Sequence, residues 1–139
     1  MTITKIISSG TSGAESAALD VAIRLKIPYD GYDMESSMLD AYRATRRYKL
    51  MEKAFNSSRS MNEANLHIAD ANLIVTHCEL SRDLWFIDDY AVTHGHPTYH
   101  INFQETEPLQ AAFHISIWAD KHSPESLFAT GPLRGQTAG

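Results

Sequence analysis

The stretch SSGTSGAESAALD, Ser8 to Asp20, concentrates hydroxyl and glycine residues between two structured flanks. TITKII (Thr2 to Ile7) alternates and is β-branched, which predicts a strand. AALDVAIRL carries Ala17, Leu19, Val21, Ala22 and Leu25 on overlapping helical faces, which predicts a helix against a sheet. A strand-to-helix turn of small residues exposes the first helical N–H groups, which lack intrahelical partners and sit at the positive end of the helix dipole. That arrangement can hold an anion. It can equally be a turn capped by its own hydroxyls. It matches neither the G-x-x-x-x-G-K-[ST] phosphate loop nor the G-x-G-x-x-G dinucleotide fingerprint. The candidate contacts here are Ser9, Gly10, Thr11, Ser12 and Gly13.

The other chemistry-bearing groups are weaker. His77-Cys78 follows a predicted strand, and Cys78 reads as a buried thiol. The densest histidine group, His94-Gly95-His96-Pro97-Thr98-Tyr99-His100, is a helix-to-strand turn with no cysteine or carboxylate at zinc spacing, so no metal site is expected. Asp88 and Asp89 are adjacent on a predicted helix and point about 100° apart, which makes no acid/base pair. Ser60-Met61-Asn62-Glu63 reads as a capping box, which accounts for Glu63. Asp20 and Asp70 fall near helix ends, where they satisfy backbone groups. Asn65 faces either a ligand or solvent. Tyr29, Tyr32, Trp85 and Phe86 read as packing residues that are also able to stack on a flat ring. No catalytic set emerges.

These residues need elements to position them. Lys26 to Gly31 reads as a short strand and turn, with Ile27 extended before Pro28. Asp33 to Phe55 reads either as a helix through Tyr48 or as a loop and a short strand at Tyr48 to Met51. A helix over Ser60 to Ala69 leads to a buried strand, Ala71 to His77. A helix over Arg82 to Thr93 stops at Gly95 and Pro97. Pro97 to Phe103 reads as a strand. Thr106 then caps a helix with Pro108 in its first turn and Leu109, Ala112, Phe113 and Ile117 as its apolar stripe. Ser126 to Thr130 is the last strand. Strands alternating with helices imply an α/β fold of Rossmann-like type, a doubly wound, mainly parallel sheet with helices on both faces. Ligands of such sheets bind outside the carboxyl ends of the strands.

The 139 residues, 43% of them hydrophobic, suit one domain over 1–133, with a flexible tail over 134–139. No apolar run approaches the roughly 18 residues of a membrane span, and no charged-then-apolar leader opens the chain. The single cysteine points to a reducing, cytoplasmic setting. A net charge of −5 argues against a general nucleic-acid binder. Six of the twelve Lys and Arg nevertheless lie between Arg43 and Arg59. They read as a solvated basic surface, or as a rim near an anionic ligand or an oligomer contact.

Several motifs in order resemble the putative molybdenum carrier proteins, a Rossmann-like branch related to lysine-decarboxylase-like cytokinin-activating enzymes. Ser8 to Asp20 stands in place of that family's S-G-G-Q-T-G-x-D-x-A-A-L-D. Lys26-Ile27-Pro28-Tyr29-Asp30-Gly31 matches its G-I-P-x-G-G turn. Tyr48 to Glu52, Asn65 to Ile74 and Leu127 to Leu133 match its later segments. The resemblance implies a carrier that binds a nucleotide- or pterin-phosphate-like anion at the carboxyl edge, with a molybdenum cofactor or a nucleotide as ligand and a homo-oligomer as the assembly. It adds Asn65, Ser81, Arg82 and Gly131 to the ligand-binding candidates. The chain departs from the family where a G-G-T turn is replaced by Glu79-Leu80-Ser81-Arg82-Asp83-Leu84. Side chains there take the space of bare backbone. Two alternatives follow: a degenerate, non-binding interaction or oligomer module, and a phosphoribohydrolase-type enzyme. The second would need P-G-G-x-G-T-x-x-E, which the sequence lacks.

Overall fold

β-Branched and aromatic side chains collect in the runs that pair, and each run is too short to bury itself without neighbours. The structure, a computed structural model, describes residues 3–9, 13–34, 50–53, 55, 57–77 and 82–131. The first four elements are β1 (Lys5–Ile7), α1 (Gly13–Leu25), β2 (Tyr29–Asp30) and β3 (Tyr32–Met34). They lead to β4 (Met51–Lys53), α2 (Ser58–Ile68), β5 (Ala71–Thr76) and α3 (Arg82–His94). The chain continues through β6 (Thr98–Asn102), α4 (Pro108–His122) and β7 (Ser126–Thr130). The main sheet has the order β2-β1-β7-β5-β6, and all its pairs are parallel. β1 and β5 are interior strands, as their sequences predict. β3 and β4 form a separate parallel pair.

Two apolar layers cover the sheet. Leu66 of α2 and Ala69, which caps its end, pack with Leu84 and Ile87 of α3 over Ile7, Ile74 and Phe128. On the other face, Trp118 and Ala119 of α4 pack over Ala71 and Leu127, with Ile6, Leu73 and Tyr99 beside them. Right-handed crossovers put α1 on the α4 side, because β1 to β2 and β6 to β7 both run in the same direction across the sheet. The fold is therefore doubly wound, as the sequence pattern predicts.

Three local readings need correction. The capping box at Ser60 does not form. α2 starts one turn earlier, with Ser57 as N-cap accepting from the Ser60 amide at 3.1 Å. With that start the amide of Met61, a residue 2% exposed on the face of buried Asn65, donates to the Ser57 carbonyl at 3.2 Å. Glu63 instead pairs with Arg59 at 3.2 Å, one turn away on the surface. Thr106 does not cap α4 either. Glu107 is the N-cap residue without a side-chain bond, and Pro108 at the helix start removes one donor that would need capping. The third correction concerns the α4 stripe. The helix buries Ala111, Trp118 and Ala119, while Leu109, Phe113 and Ile117 are exposed. The helix carries two apolar stripes, and the predicted one faces outward. Of the two readings for Asp33 to Phe55, the described part contains strand residues 32–34 and 51–53, and residues 35–49 lie outside the described residues.

Gly31 turns the chain out of the main sheet and into the β3–β4 pair. Its φ is +142°, and a Cβ there would stand 2.1 Å from the Ser8 carbonyl oxygen. Asn65 holds the other side of this junction. Its Oδ1 accepts from the Tyr32 amide at 2.7 Å and its Nδ2 donates to the Tyr32 carbonyl at 3.1 Å. A buried side-chain amide thus completes the backbone pairing of β3, where an unmade bond would leave buried polar groups unsatisfied. We expect Gly31→Ala to lower stability by at least about 2 kcal/mol, through the backbone clash and the unfavourable φ together. A urea midpoint within error of the parent would show that the junction yields freely.

Candidate functional site

In a parallel sheet every strand ends at the same edge, and here β1, β7, β5 and β6 end side by side at Ile7, Thr130, Thr76 and Asn102. α1 begins beneath this edge. Its first turn carries Glu15, only 2% exposed. Both carboxylate oxygens are satisfied. The Ser9 hydroxyl donates to Oε2, and the Thr130 hydroxyl donates to Oε1 at 3.2 Å. The helix start supplies the favourable dipole end for this carboxylate. Ser8, fully buried, donates to the Ala129 carbonyl at 3.1 Å and ties β1 to β7 at the same level.

Gly131 follows Thr130 and lets the layers close. A Cβ at this position would stand 2.7 Å from the Val75 carbonyl oxygen and 2.8 Å from the Ala14 Cβ. Its bare Cα therefore brings the end of β7 against β5 and the first turn of α1 at once. Gly13, by contrast, opens onto empty space, with nothing within 4 Å of its Cβ position.

Further along the edge, the Thr76 hydroxyl meets His100 Nε2 at 2.7 Å. Burial lowers the His100 pKa below its usual value, against the pull of Glu105 and Asp88, which raise it. Asn102 Oδ1 accepts from the Gln104 amide at 3.0 Å and shapes the turn after β6. His77 and Phe103 rings lie 5.5 Å apart above these strand ends.

The residues predicted to bind ligand fall into three groups. Ser9, Gly13 and Gly131 belong to the β1, α1 and β7 ends and come together at the carboxyl edge. Asn65 is buried and bonded to the Tyr32 backbone. Gly10, Thr11, Ser12 and Ser81 lie outside the described residues, as do Cys78, Glu79, the basic run 43–49 and the tail 134–139. Arg82 opens α3, and its side chain is outside the described set. Sequence reasoning missed Glu15, Thr130 and His100. A signal for Glu15 was present: it stands at i−4 and i−7 from Leu19 and Ala22, on the stripe that α1 buries. Among the described residues no cluster of three His, Cys, Asp or Glu is arranged to hold a metal ion, and no helix is long and apolar enough to cross a membrane. Asp70 does satisfy backbone groups. Its Oδ2 accepts from the Glu125 and Ser126 amides at 3.1 and 3.2 Å, at the opposite edge.

The fold and this edge define a Rossmann-like α/β protein with its strand ends gathered over one helix start. Residues 6–139 match the circularly permutated YpsA SLOG family, and the chain belongs to that family. Its structure is similar to that of a putative molybdenum carrier protein from Syntrophus aciditrophicus SB, at 32% identity and a TM-score of 0.87, covering 97% of this chain and 85% of the other. The resemblance carried by the sequence motifs is thereby borne out. No curated protein matches the chain.

The lowered His100 value has a consequence for stability. The fold favours the neutral ring, while the unfolded chain takes up a proton near the ordinary value of 6.5. The contribution is complete above that value and is lost as pH falls through it towards the folded value. We expect His100→Gln to flatten the decline of melting temperature on acidification relative to the parent. Parallel pH curves for the two proteins would remove His100 as the cause.

Proposed function

We propose that this chain is a molybdenum carrier-like protein that binds a nucleotide- or pterin-phosphate-like anion at the carboxyl edge of the sheet, over the start of α1, in the cytoplasm. The observation that carries the reading is the closure at Gly131. It presses the β7 end against the first turn of α1, while Gly13 at the same helix start opens to space. Small residues at such a start offer backbone N–H donors to an anion with little steric hindrance. Family membership and the likeness to the Syntrophus aciditrophicus protein support the carrier class. Molybdenum enters this reading as cargo, with or within the ligand. The Ser9 and Thr130 hydroxyls already donate to Glu15, so recognition of the anion rests on backbone donors rather than on these side chains.

One observation favours the interaction-module reading. Three large apolar side chains stand exposed along α4, away from the edge. Among the described residues of the edge, nothing supports the phosphoribohydrolase reading.

Isothermal calorimetry with inorganic phosphate, nucleoside monophosphates and molybdopterin tests the proposal. Binding is expected for at least one of them. Thr11→Ala should weaken it by about 1 kcal/mol, the worth of one hydrogen bond. Gly10→Val should weaken it further, through bulk and lost backbone freedom at the turn. No heat at millimolar ligand would refute the carrier reading and leave the interaction module.

A further inference from the structure

Tyr99 meets Trp118 at 5.7 Å within the α4 layer, and Phe86 and Tyr90 pack against the layer under α2 and α3. These rings serve the fold. His77 and Phe103 join neither layer. Their ring centroids are nevertheless 5.5 Å apart with the planes tilted by 40°, a separation typical of paired rings. His77 is exposed and Phe103 is half-buried. The stacked pair Tyr90 and His94, 3.9 Å apart, lies in the last turns of α3 and so at the opposite edge of the sheet.

The backbone sets the place of the His77–Phe103 pair. Thr76 and Asn102 are the last partners of β5 and β6, so His77 and Phe103 come next in the same register. The Phe103 amide donates to the Thr76 carbonyl at 2.8 Å and ties the two strand ends together. The Glu105 and Thr106 amides both donate to the Asn102 carbonyl at 3.0 Å and hold the turn that carries Phe103. Side chains alternate along a strand. Leu73 and Tyr99 lie on the α4 side, and the alternation directs Val75 and His77, and Ile101 and Phe103, to that side as well. α1 starts on the same side. Gly131 stands between, because a Cβ there would meet both the Val75 carbonyl oxygen at 2.7 Å and the Ala14 Cβ at 2.8 Å. Gly13 is one residue from Ala14, and His77 is two residues, roughly 7 Å of strand, from Val75. The open helix start and the ring pair are thus the two shoulders of one bare Cα.

The geometry points to His77, backed by Phe103, as the seat of a planar heterocycle, the ring of a nucleobase or a pterin whose phosphate lies at the start of α1. This rests on the carrier reading for the anion and adds the place of the ligand's other half. An exposed imidazole offers a flat face, and a heterocycle stacks on such a face whatever its edge groups are. A bare oxyanion makes no use of it.

Isothermal calorimetry with AMP, GMP and molybdopterin, each compared with ribose phosphate, tests the seat, since ribose phosphate carries the anion without a ring. At least one ring-bearing ligand should bind the parent about ten-fold tighter than ribose phosphate, within the usual worth of one stacked base. His77→Ala should remove that difference while leaving ribose phosphate binding and the melting temperature unchanged. His77→Phe, which keeps a flat face, should restore it. Ring current from the stacked ligand should also move the His77 ring-proton resonances upfield. Equal affinity for ribose phosphate and every ring-bearing ligand would overturn the seat and leave the anion reading intact. So would a preference that survives His77→Ala, or one that His77→Phe fails to restore. Ring-bearing ligands that bind through His77 when ribose phosphate and inorganic phosphate do not bind would support the seat and overturn the anion reading. No binding of any of them at millimolar concentration would overturn both.

Discussion

A carboxylate removed from water needs hydrogen-bond donors on its oxygens, or its burial costs several kcal/mol. Glu15 is such a group, and its donors come from separate parts of the chain. Ser9 lies at the end of the first strand and Thr130 at the end of the last. Meeting the needs of this side chain therefore fixes where α1 starts relative to β1 and β7. It couples residues 115 positions apart at the point where the sheet's edge is built. Gly131 is part of the same constraint. Only a residue without Cβ lets the β7 end reach Glu15 while passing between Val75 and Ala14.

A second junction works by similar means. Gly31 lets the chain pass the Ser8 carbonyl, and Asn65 receives the emerging strand with both ends of its amide. Ser8 and Ser9 are consecutive. One belongs to the crossing beneath Gly31 and the other to the carboxylate of Glu15. The end of β1 is thus held from both sides, by backbone approach and by hydroxyl bonding. The carboxyl edge is tied by these bonds and close approaches where β1, β7 and α1 meet, which suits the proposed recognition by fixed backbone donors.

The order of elements was legible because short β-branched runs alternate with longer periodic ones, and that alternation has few parallel-sheet solutions. The strands Ala71 to Thr76 and Ser126 to Thr130 needed little more than composition. What was not legible depended on choices between equivalent local signals. Ser57 and Ser60 are both competent caps, and local sequence does not choose between them. α4 has apolar residues on two opposite sides. Periodicity identifies both stripes but not which one meets the sheet, and the bulk of Trp118 against Tyr99 and Leu127 settles it. Of the network at the strand ends, the sequence singled out Ser9 and Gly131 but not the carboxylate that ties the ends of β1 and β7 together. A glutamate near a helix start reads as a dipole partner on the surface, and only the pairing of β1 with β7 brings Thr130 close enough to bury it.

The network also limits what the edge is able to recognise. A hydroxyl has one hydrogen to give. At Ser9 and Thr130 that hydrogen goes to Glu15, and both residues are fully buried, so neither side chain is offered to a ligand. On the proposed reading, the anionic part of a ligand therefore belongs on the backbone N–H groups around Gly13, where the absence of a side chain leaves room. The hydroxyls and the carboxylate are then the frame that holds this helix start against the strand ends, and the backbone carries the recognition of the anion.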